Sequence, residues 1–415
     1  MARRRLPVAK PGCMFQITRA MDTSSPLTIA LVDSNVAGHH STYMRLFAQT
    51  LLDAGHRVIA LRPEPEKLLE SMKSARAGET RNMVAAPYLG RSKCLLWPKK
   101  LRYWAEAGIT AGRLRKTLNR CEKTLGAKCD FVFFNDLQDT KIWLFKALAD
   151  ACELPWSFLY VHTASLPPHS KHNPEFFRLM RHPNLKAFAV LDERSVTPGE
   201  RLTGRKIVRF PDFTDETLVD GHPLEKELQA FKGTSPLVLA IGHLREAKGF
   251  TTLLATTLLP SAKNLKFAFI GECRPNRREW EMINGIKRAN PNVLFRFGRL
   301  STEAEYNACI NAADVLFAAY HDFAHSSNTL TKAAVFEKPV VVSDGHLMAG
   351  RTREHRLGEI VRQKDPADAL AGIQRIAAGT RAWVAANKPD WQGYRALHSQ
   401  SSLAGAFGRL LEAYR

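Results

Sequence analysis

The residues best suited to bind a ligand lie near the middle of the chain, in the sequence Gly242-His243-Leu-Arg-Glu-Ala-Lys248-Gly249. This stretch follows the apolar run 237–241, which has the pattern of a buried strand, and it precedes a helical pattern. Glycines let a ligand approach the backbone closely, and a basic pair at this spacing suits a diphosphate. Gly242, His243 and Lys248 are therefore candidate phosphate-binding residues, although Lys-Gly is common at the end of a strand.

A second polar stretch, His325-Ser326-Ser327-Asn328, lies between the apolar run 315–319 and another helical pattern. Serine and asparagine are favoured N-cap residues, so the helix is expected to begin here. The first turn of a helix presents backbone N–H groups to anions. The four residues of this stretch are therefore predicted to line an anion site.

The alternation of apolar runs with helical patterns predicts an α/β fold with parallel strands. Because 415 residues are too many for one ordinary core, two domains are expected. Ligands bind at the carboxyl ends of the strands in sheets of this kind. The expected divisions are a basic, disordered extension at 1–25, a first domain at 26–212, a linker at 213–236, a second domain at 237–388, and a C-terminal helix at 389–415, for which a return to the first domain is one option.

Polar residues also follow apolar runs in the first domain. Gly38, His39 and His40 lie in the loop after the run 27–32. They are candidate ligand-binding residues, because ligands bind at the ends of such strands. His162 follows a later apolar run. It either faces a ligand or merely caps its strand.

The composition is that of a soluble globular protein, with 45% hydrophobic and 24% charged residues. No apolar run approaches the roughly 20 residues needed to span a bilayer. Seven scattered cysteines without a CxxC pair suit a reducing cytoplasm and indicate neither a disulfide framework nor a zinc site. The net charge of +20 points to nucleic acid, an anionic membrane or phosphorylated ligands.

Residues 91–128 combine many lysines and arginines with Trp97, Tyr103 and Trp104. A segment that lies on a membrane surface has this composition. A solvated helix face with its aromatic residues in the core has it as well, and the sequence leaves both options open. No recognised nucleic-acid-binding module accompanies the charge, so nucleic acid is not an expected partner. The basic N-terminus lacks an apolar segment and is not predicted to be a secretory signal.

Several ligand-binding motifs are missing from the chain. No Asp-x-Asp pair is present to hold a divalent ion on a diphosphate, so no metal is predicted. Neither a Gly-x-Gly-x-x-Gly fingerprint nor a Walker lysine loop occurs, which argues against dinucleotide oxidoreductases and nucleotidases. No cofactor is expected.

The order of these signals resembles the donor-binding domain of retaining GT-B glycosyltransferases (group 1-like, family 4-like), as in bacterial polysaccharide biosynthesis. The resemblance covers roughly residues 26–410 and is strongest at 237–365. It rests on Gly242-x-Leu-x-x-x-Lys248-Gly249, Phe267-Ala-Phe-Ile-Gly271, Phe297-Gly298, Ala313-Asp314, Lys338-Pro339 and Leu357-Gly358. It implies a GT-B architecture, in which two Rossmann-like, doubly wound domains face a cleft.

The resemblance also implies roles for individual residues. It assigns catalysis to His162 and Lys248, and acceptor or diphosphate binding to the Gly38-His39-His40 loop. Donor binding is assigned to Gly242, His243, Lys248, Gly271, His325, Ser326, Ser327, Asn328 and Lys332.

Three positions depart from the family pattern. The family usually has arginine where this chain has His243, and its two glutamates fall on Ala324 and Lys332. The second family glutamate accepts hydrogen bonds from ribose, which a lysine side chain cannot do, because it carries donors only. The anion site is therefore expected to survive, while recognition of the nucleoside is expected to be altered.

The predicted function is that of a hexosyltransferase-type glycosyltransferase. It transfers sugar from a nucleotide-sugar donor to a saccharide or lipid-linked acceptor, with retention of configuration and without a metal. The expected location is the cytoplasm, with a possible site at the inner face of the cytoplasmic membrane through residues 91–128. The alternatives are an epimerase or phosphorylase of the same fold and a non-catalytic binding protein, for which the two missing carboxylates are the best argument.

Overall fold

The computed structural model describes residues 25–33, 40–75, 80–87, 99–136, 146–148, 150–151, 153–161 and 174–415. Within these residues, two sheets are formed by thirteen strands, and the strand pairs are parallel. Short apolar runs without alternation favour such strands, because helices cover both faces of a parallel sheet. The predicted α/β fold with two Rossmann-like domains is confirmed.

The first sheet has the strand order β3-β2-β1-β4-β5-β6-β7, so the direction of winding reverses between β1 and β4. Its strands are β1 (Thr28–Val32), β2 (Arg57–Leu61), β3 (Met83–Ala86), β4 (Phe131–Phe134), β5 (Trp156–Tyr160), β6 (Ala187–Val190) and β7 (Lys206–Arg209). The helices of this part are α1 (His40–Asp53), α2 (Pro65–Ala75), α3 (Lys99–Leu125), α4 (Pro174–Met180) and α5 (Val196–Thr203).

Both faces of the first sheet are buried. Along β1, Ile29 and Leu31 enter one hydrophobic cluster, while Ala30 and Val32 enter another. Successive side chains of a strand point to opposite faces, so the two clusters lie on the two sides of the sheet. Because both faces of the sheet are covered, polar side chains gather at the ends of the strands.

The second sheet has the order β10-β9-β8-β11-β12-β13, with its reversal between β8 and β11. Its strands are β8 (Leu237–Leu244), β9 (Lys266–Cys273), β10 (Val293–Phe297), β11 (Val315–Ala318), β12 (Val340–Ser343) and β13 (Gly358–Val361). The remaining helices are α6 (Pro223–Lys232), α7 (Phe250–Thr256), α8 (Arg277–Ala289), α9 (Glu303–Ala312), α10 (Asn328–Val335), α11 (Leu347–His355), α12 (Pro366–Ala377), α13 (Thr380–Asn387), α14 (Trp391–Leu397) and α15 (Gln400–Glu412).

The C-terminal segment, which the sequence predicts as one helix, forms the two helices α14 and α15. Ser399 caps α15 and separates it from α14. Trp391 of α14 belongs to a core cluster of the second domain. Phe407 of α15 packs against Phe47 and Phe133 of the first domain, with ring centroids 5.3 Å apart in each case. The segment therefore crosses from the second domain to the first.

The C-terminal half of α3 has one apolar and one basic face. Ala111, Leu114, Leu118 and Cys121 are buried in a core cluster of the first domain. The exposed side carries Arg113, Lys116, Arg120 and Lys123. The side chains of residues 91–108 lie outside the described part of the chain. Among the helices described, none is both long and apolar enough to cross a bilayer.

Candidate functional site

The carboxyl ends of β8 and β9 come unusually close together. Gly242 and Gly271 are partners in the parallel ladder. A Cβ added at Gly271 would lie only 2.0 Å from the carbonyl oxygen of Gly242, and its φ is +130°. Any other residue at Gly271 would therefore push the two strands apart. An α/β sheet binds its ligand at the carboxyl ends of the strands beside the reversal of strand order, and β8 borders that reversal.

Lys248 lies at the same edge, in contact with two aromatic rings that pack against each other. Its ammonium nitrogen is 3.8 Å from the ring centre of Tyr320 and 4.0 Å from that of Phe323. Burial lowers the pKa of Lys248, and the neighbouring Tyr320 partly offsets this effect. The ring faces stabilise a cation that has lost much of its water, and an anionic ligand would stabilise it further.

The turn that carries Lys248 depends on the next residue. Gly249 has φ +72°, and a Cβ there would lie 2.2 Å from the carbonyl oxygen of Ala319, just after β11. The glycine thus allows the turn to rest against the end of β11. This contact brings Lys248 to Tyr320. The sequence suggested that glycines here let a ligand approach the backbone, but in the structure Gly249 lets two parts of the fold pack together.

His243 lies at the exposed rim of this edge. Its Nε2 is 3.0 Å from a carboxylate oxygen of Glu272, and the side chains are 57% and 43% exposed. The guanidinium of Arg299 lies 3.9 Å from the same carboxylate. His243 is thus accessible to a ligand, but it already has an acidic partner.

The predicted anion loop before α10 uses its side chains in a different way. Ser326 donates a hydrogen bond to the Asp212 carboxylate. Asn328 donates to the carbonyl of Phe213 at 2.8 Å and accepts from the hydroxyl of Thr214 at 2.9 Å. These partners belong to residues 212–215, which follow β7 and lead out of the first domain; we call them the hinge segment. Both side chains therefore hold the two domains together.

The other two residues of this loop lie nearby. Ser327 caps α10, with its hydroxyl 3.4 Å from the backbone nitrogen of Thr329. His325 is half-buried, and its ring centre is 5.5 Å from that of Phe323. The aromatic ring that contacts Lys248 thus also contacts this loop.

Arg351 of α11 is a residue that our sequence interpretation missed. Its guanidinium donates to the carbonyl of Leu191 at 2.7 Å, to the carboxylate of Glu193 at 2.7 Å and to the hydroxyl of Ser326 at 2.8 Å. Its side chain is only 3% exposed, and Asp212 lies 3.5 Å away. Helical spacing places Arg351 on the same face as buried Leu347, which was the available signal for a buried arginine.

The hinge segment, Ser326 and Arg351 form the junction between the two domains, and Asp212 is fully enclosed there. Burial raises the pKa of its carboxyl despite the nearby Arg351. Its backbone N–H donates to Nδ1 of His398 at 2.8 Å. Burial, together with the positive charges of Arg351 and Arg209, lowers the pKa of His398 to about 2. The imidazole is therefore neutral at ordinary pH and acts as an acceptor for the hinge segment.

Lys332 is buried behind the loop, with a side chain that is 3% exposed. Its ammonium contacts the Asn307 side chain, the carbonyl of Asp215 at 3.2 Å and a carboxylate oxygen of Glu303 at 2.9 Å. The other oxygen of Glu303 accepts from the hydroxyl of Thr42 in α1 at 2.7 Å. Glu303 was not predicted, because an acidic residue in the first turn of a helix is ordinary.

On the side of the first domain, His40 begins α1. Its Nδ1 is 3.1 Å from both carboxylate oxygens of Asp33, and its Nε2 is 3.7 Å from Asp136. Burial lowers the pKa of His40, but the hydrogen bond and charge of Asp33 outweigh burial, so the net pKa is raised. Gly38, His39 and His162 lie outside the described residues.

Comparison with known proteins links this geometry to a family. Residues 235–378 match the family model described as Glycosyl transferases group 1. A comparison with curated proteins gives no match.

Several solved structures have a similar fold. Sucrose-phosphate synthase from Thermosynechococcus elongatus gives a TM-score of 0.66 at 17% identity, with 93% of this chain and 98% of that chain covered. Anabaena HepE in complex with UDP and glucose gives 0.66 at 13% identity, with 93% and 100% covered. A glycosyltransferase from Rickettsia africae gives 0.64 at 14% identity, with 94% and 98% covered. The chain therefore has the GT-B fold, and residues 235–378 are similar to the group 1 glycosyltransferases.

Proposed function

We propose that the chain transfers a hexose from a nucleotide-sugar donor to a hydroxyl group of a saccharide or lipid-linked acceptor. The observation that carries this proposal is the position of Lys248. Its ammonium is held 3.8 Å from the Tyr320 ring, at the strand ends of the matched domain. Solved complexes of Anabaena HepE with UDP and with UDP-glucose support a nucleotide-sugar as the donor.

Lys248 would act on the leaving group. When the bond between sugar and diphosphate breaks, negative charge develops on the phosphate oxygen. A fixed cation in a site with little water stabilises this charge more in the transition state than in the ground state. The close approach of Gly242 and Gly271 leaves room for the diphosphate against the backbone, and closing of the cleft would exclude water.

We infer retention of anomeric configuration and metal independence from the resemblance of the chain to its family. In the same way, His162 would lie near the transferred sugar, and the loop of Gly38, His39 and His40 near the acceptor or diphosphate. The configuration at the anomeric carbon of the new glycosidic bond, measured by proton NMR, tests the first of these inferences. An inverted product contradicts it.

The main experiment is incubation of the purified protein with a panel of nucleotide sugars and candidate acceptors, with release of nucleotide as the measurement. We expect release that requires an acceptor. Lys248→Ala should lower the rate by at least about 100-fold, the usual effect of removing a group that stabilises developing charge. Lys263→Ala, at an exposed position of the same domain, is the matched control and should leave the rate unchanged.

A non-catalytic binding protein is a second candidate. The observation that favours it is the presence of Ala324 and Lys332 in place of two family glutamates. The same assay distinguishes it from the enzyme. Binding of a nucleotide sugar without turnover across the acceptor panel contradicts the transferase. Conversion of a nucleotide sugar into its epimer without net release of nucleotide favours an epimerase, and turnover that requires inorganic phosphate favours a phosphorylase.

We further propose that the protein works in the cytoplasm, at the inner face of the membrane, in the assembly of a polysaccharide. The exposed cations on α3, namely Arg113, Lys116, Arg120 and Lys123, support attraction to an anionic surface. The apolar side of this half of α3 is buried, so binding would be electrostatic. Vesicles with anionic lipids should sediment the protein at low salt, and replacing the four residues with glutamine should abolish sedimentation. Equal sedimentation of the variant contradicts the membrane proposal.

A further inference from the structure

The side chains of Thr42, Glu303 and Lys332 form a continuous chain of polar contacts between the two domains. We propose that Glu303 binds a pair of ligand hydroxyl groups and that the Thr42 hydroxyl occupies its place while no ligand is bound. The proposal rests on the function proposed above. It assigns a specificity-determining residue, Glu303, a positioning residue, Lys332, and an internal competitor, Thr42.

Lys332 holds the Glu303 carboxylate in place. The lysine is 3% exposed, whereas the Glu303 side chain is 33% exposed. The lysine is also held by Asn307 and by the carbonyl of Asp215. One carboxylate oxygen, Oε2, therefore has a fixed partner at 2.9 Å, and the carboxylate has little freedom to turn. The cation that replaces the family glutamate thus has a carboxylate beside it.

The chemistry of this group selects its ligand. An ionised carboxylate is an acceptor only, with about four lone-pair positions on its two oxygens. It repels phosphate and accepts well from two neighbouring hydroxyls. A vicinal diol has this donor pattern. In a nucleotide sugar, two parts supply one: the ribose and the transferred sugar.

The location of Glu303 is consistent with such a ligand. The Lys332 ammonium is 5.2 Å from the ring centre of Tyr306, and a Cβ at Gly242 would lie 3.2 Å from the Tyr306 hydroxyl. One tyrosine therefore separates Glu303 and Lys332 from the predicted diphosphate site. A nucleotide sugar has a diol on either side of its diphosphate. A diphosphate bound at the predicted site would therefore bring one of the two diols close to Glu303.

Two other carboxylates near this edge, Asp322 and Asp212, are less suited. Asp322 is exposed and pairs with Lys364 at 3.0 Å. Asp212 is enclosed by Ser326 and Arg351. Glu303 alone among these three is fixed, partly exposed and bonded to a hydroxyl.

The bond from Thr42 imitates the expected ligand. Its hydroxyl donates to Oε1 of Glu303 at 2.7 Å, and it comes from α1 of the facing domain. A ligand hydroxyl would make the same bond, so the two compete. Removing the Thr42 hydroxyl should therefore strengthen ligand binding, a gain that a purely structural contact would not give.

The test is calorimetric titration with nucleoside diphosphates that carry ribose or 2′,3′-dideoxyribose on the same base, beginning with UDP. A second arm compares UDP-glucose with a UDP-glucose analogue that lacks the hydroxyls of the sugar at carbons 2 and 3. The variants are Glu303→Gln and Thr42→Val, with Glu281→Gln at an exposed position of α8 as the control.

We expect the unmodified protein to prefer the diol form at least about tenfold in one arm, because a hydrogen bond to a charged group contributes strongly. Glu303→Gln should remove most of that preference, and Thr42→Val should tighten binding of the diol form about threefold. Glu281→Gln should change neither. The arm that responds identifies the ribose or the transferred sugar as the source of the diol.

Binding without any diol preference in either arm, or a preference that survives Glu303→Gln, overturns this proposal and leaves the proposed function intact. Absence of binding to every nucleotide and nucleotide sugar overturns the proposed function itself. If Glu303→Gln does not fold, as judged by circular dichroism, Thr42→Val decides: unchanged or weaker binding of the diol form overturns the proposal.

Discussion

The ends of β8 and β11 both lead through a short polar segment into a helix, yet the two segments use their polar side chains differently. After β8, His243 is exposed and Lys248 contacts two aromatic rings. After β11, Ser326 and Asn328 are bonded to the hinge segment. The same local design thus leaves two basic side chains at the end of one strand and joins two domains at the end of the other.

This difference indicates that the side chains of the loop before α10 contribute to the fold. The loop before α10 fixes the position of the second domain relative to the first, through Asp212 and Arg351. It lies beside the ring of Phe323, which touches Lys248. Disturbing the junction should therefore affect stability first, whereas disturbing the end of β8 should affect the ligand.

The largest effect is expected at the junction, from Arg351→Met. Methionine fills similar space but leaves the buried Asp212 carboxylate without its cation, and it leaves the half-buried Glu193 with Arg209 alone. Breaking a buried ion pair from one side destabilises proteins by about 3–5 kcal/mol. Urea unfolding followed by tryptophan fluorescence measures this loss. Arg353→Met, on the exposed side of the same helix, is the matched control and should change little; equal losses in both variants would show that the junction contributes no special stability.

The next largest effect is expected at the end of β8, where two variants separate the cost of a backbone conformation from the cost of a steric clash. Gly249→Ala and Gly204→Ala both place a side chain in the left-handed region, at φ +72° and +66°, but only at Gly249 would the Cβ meet another atom, at 2.2 Å. The conformation costs about 1–2 kcal/mol, and the clash about 1–3 kcal/mol more. Urea unfolding should show the larger loss for Gly249→Ala. Equal losses would mean that the contact with Ala319 is unimportant.

Much of the fold follows from the sequence, because its signals are local. The strands β1, β8 and β11 contain short apolar runs, and runs of this length next to turn residues favour buried strands. The C-terminal segment shows the limit of this approach. Ser399 is a good N-cap, but the turn that divides α14 from α15 depends on which domain each helix packs against, and that information is not local.

The site was predictable in part, for a similar reason. Gly242, Gly271 and Lys248 lie on consecutive strand–loop units of one sheet, and their meeting follows from the strand order. Arg351 and Glu303 act through residues far away in sequence, from Leu191 to Thr42, across the interface between domains. Neither residue carries a motif. Their roles follow only from the relative placement of the two sheets.

A smaller effect is expected from pH, through His398 at the junction. Its pKa falls from 6.5 to about 2 in the folded protein. Below about pH 6.5 the unfolded chain therefore binds a proton that the folded chain does not, so stability should fall as the pH falls. Between pH 7 and pH 5 this loss is about 2 kcal/mol, and above pH 7 the histidine contributes almost no pH dependence.

Urea unfolding at pH 5 and pH 7 measures this dependence. His398→Asn should lose about 2 kcal/mol less than the unmodified protein on going to pH 5. His243→Asn, with its exposed side chain, is the control and should keep the full dependence. If His398→Asn keeps it as well, other buried groups cause the acid sensitivity.

The smallest effect, and the sharpest test of the comparison, is expected from His243→Ala. Its imidazole is 57% exposed and already paired with Glu272, and charge pairs at such positions contribute little. We expect unchanged stability and a rise in KM for the nucleotide sugar of no more than about fivefold, since water screens an exposed pair. The rise should shrink as salt is added, because ions screen exposed charges. A loss of activity as large as that of Lys248→Ala would instead mean that the closed cleft buries His243 against the diphosphate, so that both cations at the end of β8 act on the leaving group.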